Sequence, residues 1–338
     1  MKLKQENSMK NFNRNLLEQF TSFSVKIPDE AKSKTYIYAD YVELICLFSN
    51  DFVSQSDVMD RMYDSGEEFD LSNPLDGSTG SINTQQHDFA EKFVNTIFEY
   101  IEERKTIYQN TYPFETDLEK GINLKDRKTL TEKQKLYLYL LIASSLKSFK
   151  KLISEITSEF EILSESVLKS YLSPRAIVLN FANNTIYKGN TKEKIKQLAK
   201  YINVDYNNNE IEQISEHNSK EEGLDIVAWI PFEDNNPNTI IILGQCACGK
   251  DWFGKQNETF RYENYLSHYR QPFIHSVFMP YDLKNTKGRF EFSKDIITNH
   301  IIFERRRILY LSNETIFYKL KYSRQIVEKC LEYQEDIV

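Results

Sequence analysis

Glycine and cysteine are both scarce in this chain, and each scarcity excludes classes of protein. Its 338 residues include only 10 Gly, and neither a Walker A motif nor a dinucleotide-binding glycine motif occurs. We therefore expect no nucleotide cofactor. The four cysteines, Cys46, Cys246, Cys248 and Cys330, show no disulfide framework, which favours a reducing cytoplasm. Cys246 and Cys248 lack the second ligand pair that a zinc site needs, so we expect buried thiols.

Long apolar runs are absent as well. The longest, residues 136–146, is too short to cross a bilayer and is typical of a buried helix. The N-terminal residues 1–15 are polar and mixed in charge, without the apolar segment of a secretory signal. These absences predict a cytoplasmic protein with no membrane partner.

An excess of acidic residues is present, but only in one half of the chain. The whole chain has 43 Lys+Arg and 50 Asp+Glu, whereas residues 171–338 have 22 of each. All of the net charge of −7 therefore comes from residues 1–170. Such asymmetry indicates two modules with different partners.

Length and patterning predict an α+β protein of two domains, preceded by a loose leader at residues 1–30. A content of 40% hydrophobic and 13% aromatic residues supports a sizeable core. Residues 31–172 contain a series of segments with helical apolar periodicity, and Thr131 with Gln134 fits a capping box. We therefore expect an all-α domain there.

The pattern changes at residue 173, because residues 173–338 mix helical with strand-like segments. Asn190 or Thr191 is expected to cap a helix that ends near Ile202. Short apolar runs predict the strands, and they lie at residues 176–179, 222–231, 239–252, 273–279 and 301–311. This order predicts an α/β domain with a central mixed sheet.

Two of these apolar runs contain a polar residue that apolar packing does not explain. Asn235, Asn236 and Pro237 stand between the two runs, so we expect the strands to form a hairpin. The first run contains Asp225 near its start, and an ionised Asp among apolar residues is costly unless it is paired or binds a metal. Gln245 lies in the second run, near the end of its apolar part.

Glu193, in the first turns of the capped helix, completes a set of three polar side chains with Asp225 and Gln245. Two carboxylates and an amide oxygen at one sheet edge would suit Mg²⁺ or Mn²⁺, because hard cations take oxygen ligands. A nearby lysine could orient water and stabilise the charge that develops on a phosphate. The set indicates a hydrolytic site with Glu193 and Asp225 as metal ligands.

This order of residues resembles the PD-(D/E)XK nuclease superfamily, which has the restriction-endonuclease-like fold. Its core has a helix bearing a Glu, a strand that starts with Asp, and a strand carrying Asp/Glu/Gln-x-Lys. Residues 187–195, 223–228 and 244–247 are similar to these motifs, the last in a Gln variant. Across residues 171–312 the resemblance implies a restriction-endonuclease-like domain that cleaves DNA with the help of a metal ion.

One position departs from that pattern, since Ala247 stands where the motif has its lysine. Lys250 or Lys255 could supply the missing ammonium group. Alternatively no lysine serves, and the domain is a catalytically inactive DNA-binding or structural module of a larger complex. The positions of the two lysines relative to Asp225 distinguish these alternatives.

Domains of this kind joined to helical modules resemble effectors of bacterial anti-phage defence that partner proteins hold inactive. The candidate contacts to DNA phosphates are His268 and the basic run Arg305, Arg306 and Arg307. The acidic helical domain is expected to bind a protein partner or a second copy of the chain, because an acidic surface repels DNA.

Overall fold

The computed structural model describes residues 2–28, 35–64, 82–117, 119–181, 186–215, 222–232, 234, 236, 239–249, 252–267, 271–283 and 300–334. Its helices are α1 (Lys2–Gln19), α2 (Thr35–Phe48), α3 (Gln55–Asp64), α4 (Ile82–Tyr108), α5 (Glu132–Ser144), α6 (Ile153–Tyr171), α7 (Thr191–Tyr201), α8 (Asn208–Glu212), α9 (Trp252–Lys255), α10 (Tyr262–Tyr265), α11 (Arg305–Leu311), α12 (Ile316–Lys319) and α13 (Lys321–Glu332). Its strands are β1 (Phe114–Asp117), β2 (Gly121–Leu124), β3 (Ile177–Asn180), β4 (Asp205–Tyr206), β5 (Ile226–Trp229), β6 (Ile241–Cys246), β7 (Leu266–Ser267), β8 (Ile274–Phe278) and β9 (His300–Phe303).

The contacts divide the chain into two units. Unit 1 comprises Met1–Ile153, Tyr281–Glu291 and Arg324–Val338, and unit 2 comprises Ser154–Pro280 and Phe292–Ser323. The division differs from the predicted boundary between residues 172 and 173. Long-range packing is the reason, since Tyr171 at the end of α6 packs on Phe303 of unit 2 with ring centroids 5.4 Å apart. None of the described helices is long and apolar enough to cross a membrane.

Unit 1 is built mainly from helices. α5 is buried along its whole middle, from Leu136 to Ala143, as expected of a helix that is apolar on every side. Its N-terminus carries the predicted capping box, which is confirmed. Gln134 N donates to Thr131 Oγ1 at 3.3 Å, and Thr131 N donates to Gln134 Oε1 at 2.9 Å.

A buried charged cluster lies among these helices. Arg104 of α4 pairs with Asp40 at 2.8 Å and with Glu43 at 2.9 Å, and all three side chains are at most 3% exposed. The hydroxyls of Tyr112 and Tyr137 donate to Glu43 Oε1 at 2.8 and 3.0 Å. These ion pairs and hydrogen bonds offset the free-energy cost of removing the charged groups from water.

Two features of unit 1 differ from what the sequence predicts. The predicted loose leader contains α1, whose Phe12 is buried, and Phe23 beyond the helix is buried too. A few aromatic residues therefore hold a polar segment in place. The all-α prediction is wrong as well, because β1 and β2 form an antiparallel hairpin in which Phe114 pairs with Leu124. Strands of four residues are too short to show a period-two pattern.

Unit 2 contains a five-stranded sheet with the strand order β3-β5-β6-β8-β9. β5 is antiparallel to both β3 and β6, whereas β6, β8 and β9 are parallel. The predicted α+β class and central mixed sheet are therefore confirmed, and so is the antiparallel pairing of β5 with β6. Asn235 and Pro237 of the predicted turn lie outside the described residues.

One edge of this sheet collects the start of β5 and the ends of β3, β6, β8 and β9. The register shows it, because Ile226 pairs with both Asn180 and Gly244, and Phe278 pairs with both Cys246 and Phe303. We call this the upper edge.

Helices cover both faces of the sheet. On one face Leu243 belongs to a buried apolar cluster with Ile195 and Leu198 of α7. Because side chains alternate along a strand, Cys246 points to the opposite face, as does Asn180, whose Nδ2 donates to Glu161 of α6 at 3.2 Å. α6 and α7 therefore lie on opposite sides of the sheet.

The end of β9 differs from the prediction of a strand over residues 301–311. The strand ends at Phe303, and α11 follows. Glu304 is the reason, because its carboxylate accepts the backbone N–H groups of Arg306 at 2.8 Å and of Arg307 at 3.2 Å. Such a cap starts a helix, and it overrides the apolar run that follows.

Candidate functional site

Two of the predicted site residues lie next to each other at the upper edge. The backbone N–H of Asp225 donates to Gly244 O at 3.0 Å, and the carbonyl of Asp225 accepts from Phe181 N at 2.7 Å. These bonds hold Asp225, just before β5, between the chains of β3 and β6. Gln245 is the residue before Cys246, with which β6 ends.

The Asp225 carboxylate is half-buried, and its Oδ2 accepts the backbone N–H of Cys246 at 2.6 Å. A hydrogen bond to a charged acceptor is about twice as strong as one between neutral groups. The end of β6 therefore offsets part of the cost of placing a carboxylate among apolar residues. The same bond points the carboxylate toward the end of β6.

A second carboxylate reaches this edge from α6. Glu161 Oε2 accepts a hydrogen bond at 3.2 Å from Nδ2 of Asn180, the last residue of β3. Burial, and then the charges of Asp225 and Glu161, raise the pKa of the Cys246 thiol well above its usual range. Glu161 is not among the predicted site residues, because α6 precedes the predicted domain boundary.

Lys255 is the last residue of α9. Burial raises the pKa of the Cys248 thiol, and the carboxylates of Glu161 and Asp225 add to this effect, whereas the Lys255 ammonium group opposes it. Lys255 is thus close enough to Cys248 for its charge to act there. The thiols of Cys246 and Cys248 stay protonated near neutral pH, so they are poor nucleophiles and poor metal ligands.

Gln245 is only 4% exposed, and its Nε2 donates to Cys246 O at 3.4 Å. Its Oε1 has no hydrogen-bond partner within the described part of the chain. A buried acceptor without a donor costs roughly 1–3 kcal/mol, so water, a lysine or a hydrated cation would stabilise it. Since neighbours on a strand alternate, the Gln245 side chain projects away from the side of Cys246.

Glu193 belongs to α7, on the other side of the sheet from α6. Its Oε2 accepts the N–H of Asn190 at 2.9 Å, and its own N–H donates to Asn190 Oδ1 at 3.0 Å. This capping box confirms that Asn190 starts the helix. The described contacts of the exposed Glu193 side chain are those of a helix cap, and its role as a metal ligand stays a prediction.

Of the three arginines predicted to contact DNA, one is buried and two are exposed. Arg305 is fully buried, and its Nε donates to Pro280 O at 2.8 Å, so its guanidinium does not lie on the surface as predicted. The cap at Glu304 turns this first residue of α11 inward. Arg306 and Arg307 are exposed.

The oxygens at the upper edge fit a hard divalent cation in part. Among the described residues, no group of three or more His, Cys, Asp or Glu side chains is arranged to hold a metal ion. Asp225 and Glu161 offer two carboxylates, and Mg²⁺ is commonly bound through one or two carboxylates while it keeps several waters. Carboxylate oxygens are donors that suit Mg²⁺ or Mn²⁺. Lys250 and His268 lie outside the described residues.

No protein-family model, curated protein or solved structure matches this chain. At the upper edge lie the carboxylates of Asp225 and Glu161, and the buried amide oxygen of Gln245 lies on the opposite face of β6 from Cys246.

Proposed function

We propose that unit 2 is a metal-dependent DNA endonuclease with a restriction-endonuclease-like core. The observation that carries the proposal is that two carboxylates reach the upper edge: Asp225 accepts the N–H of Cys246 at the end of β6 at 2.6 Å, and Glu161 accepts from Asn180 at the end of β3 at 3.2 Å. The PD-(D/E)XK resemblance requires a helix with a Glu, a strand that starts with Asp, and a third strand with site residues. The helix α6 and the strands β5 and β6 fit this order, with Glu161 instead of Glu193 as the helix residue.

The proposed roles follow from the chemistry of the side chains. Asp225 and Glu161 hold Mg²⁺ or Mn²⁺, which supplies Lewis-acid activation of the phosphate and of water. Lys255 stabilises the negative charge that develops on the phosphate oxygens. The buried Oε1 of Gln245 lies on the opposite face of β6 from Cys246, and its proposed role is to hold a water from that face.

A second function, that of an inactive DNA-binding or structural module, is favoured by one observation on β6. Ala247 is buried at the position where the motif has its lysine, and the thiols on either side of it are neutral. Neither a methyl group nor a thiol stabilises a developing negative charge. If Lys255 does not reach the phosphate, the site holds DNA without cutting it.

The resemblance also carries a proposed role as an effector of anti-phage defence. In this role residues 1–170, which hold the whole net charge of −7, contact a protein partner or a second copy of the chain and not DNA. The proposed location is the cytoplasm, where the four buried thiols stay reduced. Phage challenge of cells that express the chain or its Asp225→Ala variant tests this role, and equal plaque counts would contradict it.

A plasmid-nicking assay tests the proposed chemistry. Supercoiled DNA is incubated with the full chain and Mg²⁺, Mn²⁺ or EDTA. We expect nicking with either ion and none with EDTA. Asp225→Ala and Glu161→Gln should each lower the rate about a hundredfold or more, because each removes a charge that the site needs.

Glu193→Gln is the matched control, because glutamine preserves the capping box of α7. It should leave the nicking rate unchanged. A loss with Glu193→Gln but not with Glu161→Gln would return the ligand role to Glu193. If the wild-type chain binds DNA but cuts it with neither ion, the inactive module is the better description.

A further inference from the structure

The consecutive short helices α11 and α12 carry several exposed aromatic and basic side chains. We define the α11–α12 surface by its exposed residues Arg306, Arg307, Tyr310, Tyr318 and Lys319. Tyr310 is 83% exposed and Tyr318 is 54% exposed. Ile308 and Leu309 bury the other side of α11, so the core does not require the exposed rings.

α11 is firmly attached where it leaves the sheet. The Glu304 carboxylate caps the helix, and Arg305 is anchored to the carbonyl of Pro280. Arg307 donates through Nη1 to Ile302 O at 2.6 Å. A surface built on such a helix is preorganised, so a ligand that binds it loses little entropy of the protein.

The α11–α12 surface begins at the same edge of the sheet as the proposed nuclease site. α11 starts two residues after β9 ends, and β9 ends at the upper edge, where Phe303 pairs with Phe278 and Phe278 with Cys246. β9 is separated from β6 by β8 alone. With strands about 4.8 Å apart, the end of β9 lies roughly 10 Å from the end of β6, and α11 starts two residues further along the chain.

The chemistry of this surface suits an unpaired nucleic-acid strand. Its three cations outnumber the one exposed carboxylate between the helices, Glu314, and cations attract phosphates. An exposed tyrosine ring stacks on the face of a base, and such faces are accessible in a single strand but covered in a duplex. We propose that the α11–α12 surface binds single-stranded DNA and leads it to the upper edge. This inference rests on the proposed nuclease function, which supplies the reason for binding DNA there.

Fluorescence anisotropy of the full chain with a labelled oligo(dT), in EDTA so that nothing is cut, tests the inference. Tyr310→Ala should weaken the affinity for oligo(dT) about tenfold, because a stacking platform is lost. Its affinity for a duplex of the same length should stay within about twofold, since a duplex offers no base face for stacking. Tyr310→Phe keeps the ring and should bind oligo(dT) like the wild type.

Arg306→Ala should weaken binding and lower the slope of log affinity against log salt by about 0.7, the value for one lost contact to a single strand. Phe232 and Arg175 provide matched controls. Both are exposed, and they lie beside the end of β5 and the start of β3, at the edge of the sheet opposite the upper edge. Phe232→Ala and Arg175→Ala should leave the affinity for oligo(dT) unchanged.

Several outcomes would overturn the inference. These are no binding of oligo(dT) by the wild type, equal losses in the control variants, or an equal loss of duplex binding in Tyr310→Ala. Tighter binding of oligo(U) than of oligo(dT) would assign the surface to RNA. A co-purifying protein that Tyr310→Ala releases, with oligo(dT) binding intact, would assign it to a protein partner. Nicking that persists without oligo(dT) binding would overturn this inference alone, whereas oligo(dT) binding without nicking would overturn only the proposed function.

Discussion

Glu159, on α6, accepts two hydrogen bonds from Ser323, one from its backbone N–H at 2.6 Å and one from its hydroxyl at 2.5 Å. Its other carboxylate oxygen accepts the N–H of Tyr322 at 2.9 Å. These donors belong to the first turn of α13, where backbone N–H groups lack partners inside the helix. A glutamate that is 4% exposed thus caps a helix more than 160 residues away in the chain.

Glu159→Gln should lower the free energy of unfolding by about 1–3 kcal/mol. The NH₂ group of glutamine is a hydrogen-bond donor, so it would face the buried donors of α13 without an acceptor between them. Urea denaturation followed by circular dichroism measures the change. Glu165→Gln is the control on the same helix. Its partner Lys169 is 52% exposed, so the loss should be at most about 0.5 kcal/mol. Similar losses in both variants would contradict the capping role.

Arg104→Met should destabilise the protein by about 3–5 kcal/mol, since it leaves the buried carboxylates of Asp40 and Glu43 without their cation. Lys105→Met is the control one residue further on, where the side chain is 48% exposed and pairs with Glu102 at the surface. It should change the free energy of unfolding by less than about 1 kcal/mol. A wild-type midpoint in urea for Arg104→Met would show that the carboxylates do not need the guanidinium.

The stability should fall as the pH drops below about 6.5, because of His300. Burial lowers the pKa of His300 from its usual value of 6.5, and the neighbouring His275, 5.5 Å away between ring centroids, lowers it further. Below pH 6.5 the unfolded chain therefore takes up a proton that the folded chain does not, so acid favours unfolding down to the lowered pKa.

Urea midpoints measured between pH 8 and pH 5 reveal this dependence. His300→Phe removes the titrating group and keeps a ring, so the slope of the free energy of unfolding between pH 6.5 and pH 5 should decrease. An unchanged slope in His300→Phe would assign the dependence to other groups.

Gln245→Met should distinguish a role of Gln245 in stability from a role in DNA nicking. The substitution removes a buried acceptor that has no donor among the described residues, so the free energy of unfolding should stay the same or rise by up to about 2 kcal/mol. If the amide oxygen positions water, nicking should fall, but less than in Asp225→Ala. A large loss of stability would show that Gln245 has a structural partner.

Local patterns in the sequence determined much of the fold. The capping boxes at Thr131 and Asn190 use residues three positions apart, so a short segment contains all the partners that define each helix start. The runs around β5 and β6 carry their own strand preference and are separated by turn residues. The presence of a mixed sheet after a set of helices follows from such local signals.

Only the tertiary structure shows that the helices carrying Glu161 and Glu193 lie on opposite faces of the sheet. Glu161 and Glu193 both lie on amphipathic helices, and their sequences give no sign of which side of the sheet each helix covers. Apolar packing settles it, because α7 buries Ile195 against Leu243 on one face, while the side chain of Cys246 points to the other. The surroundings of a carboxylate are set by contacts between residues far apart in the chain, and no periodicity within a single helix encodes them.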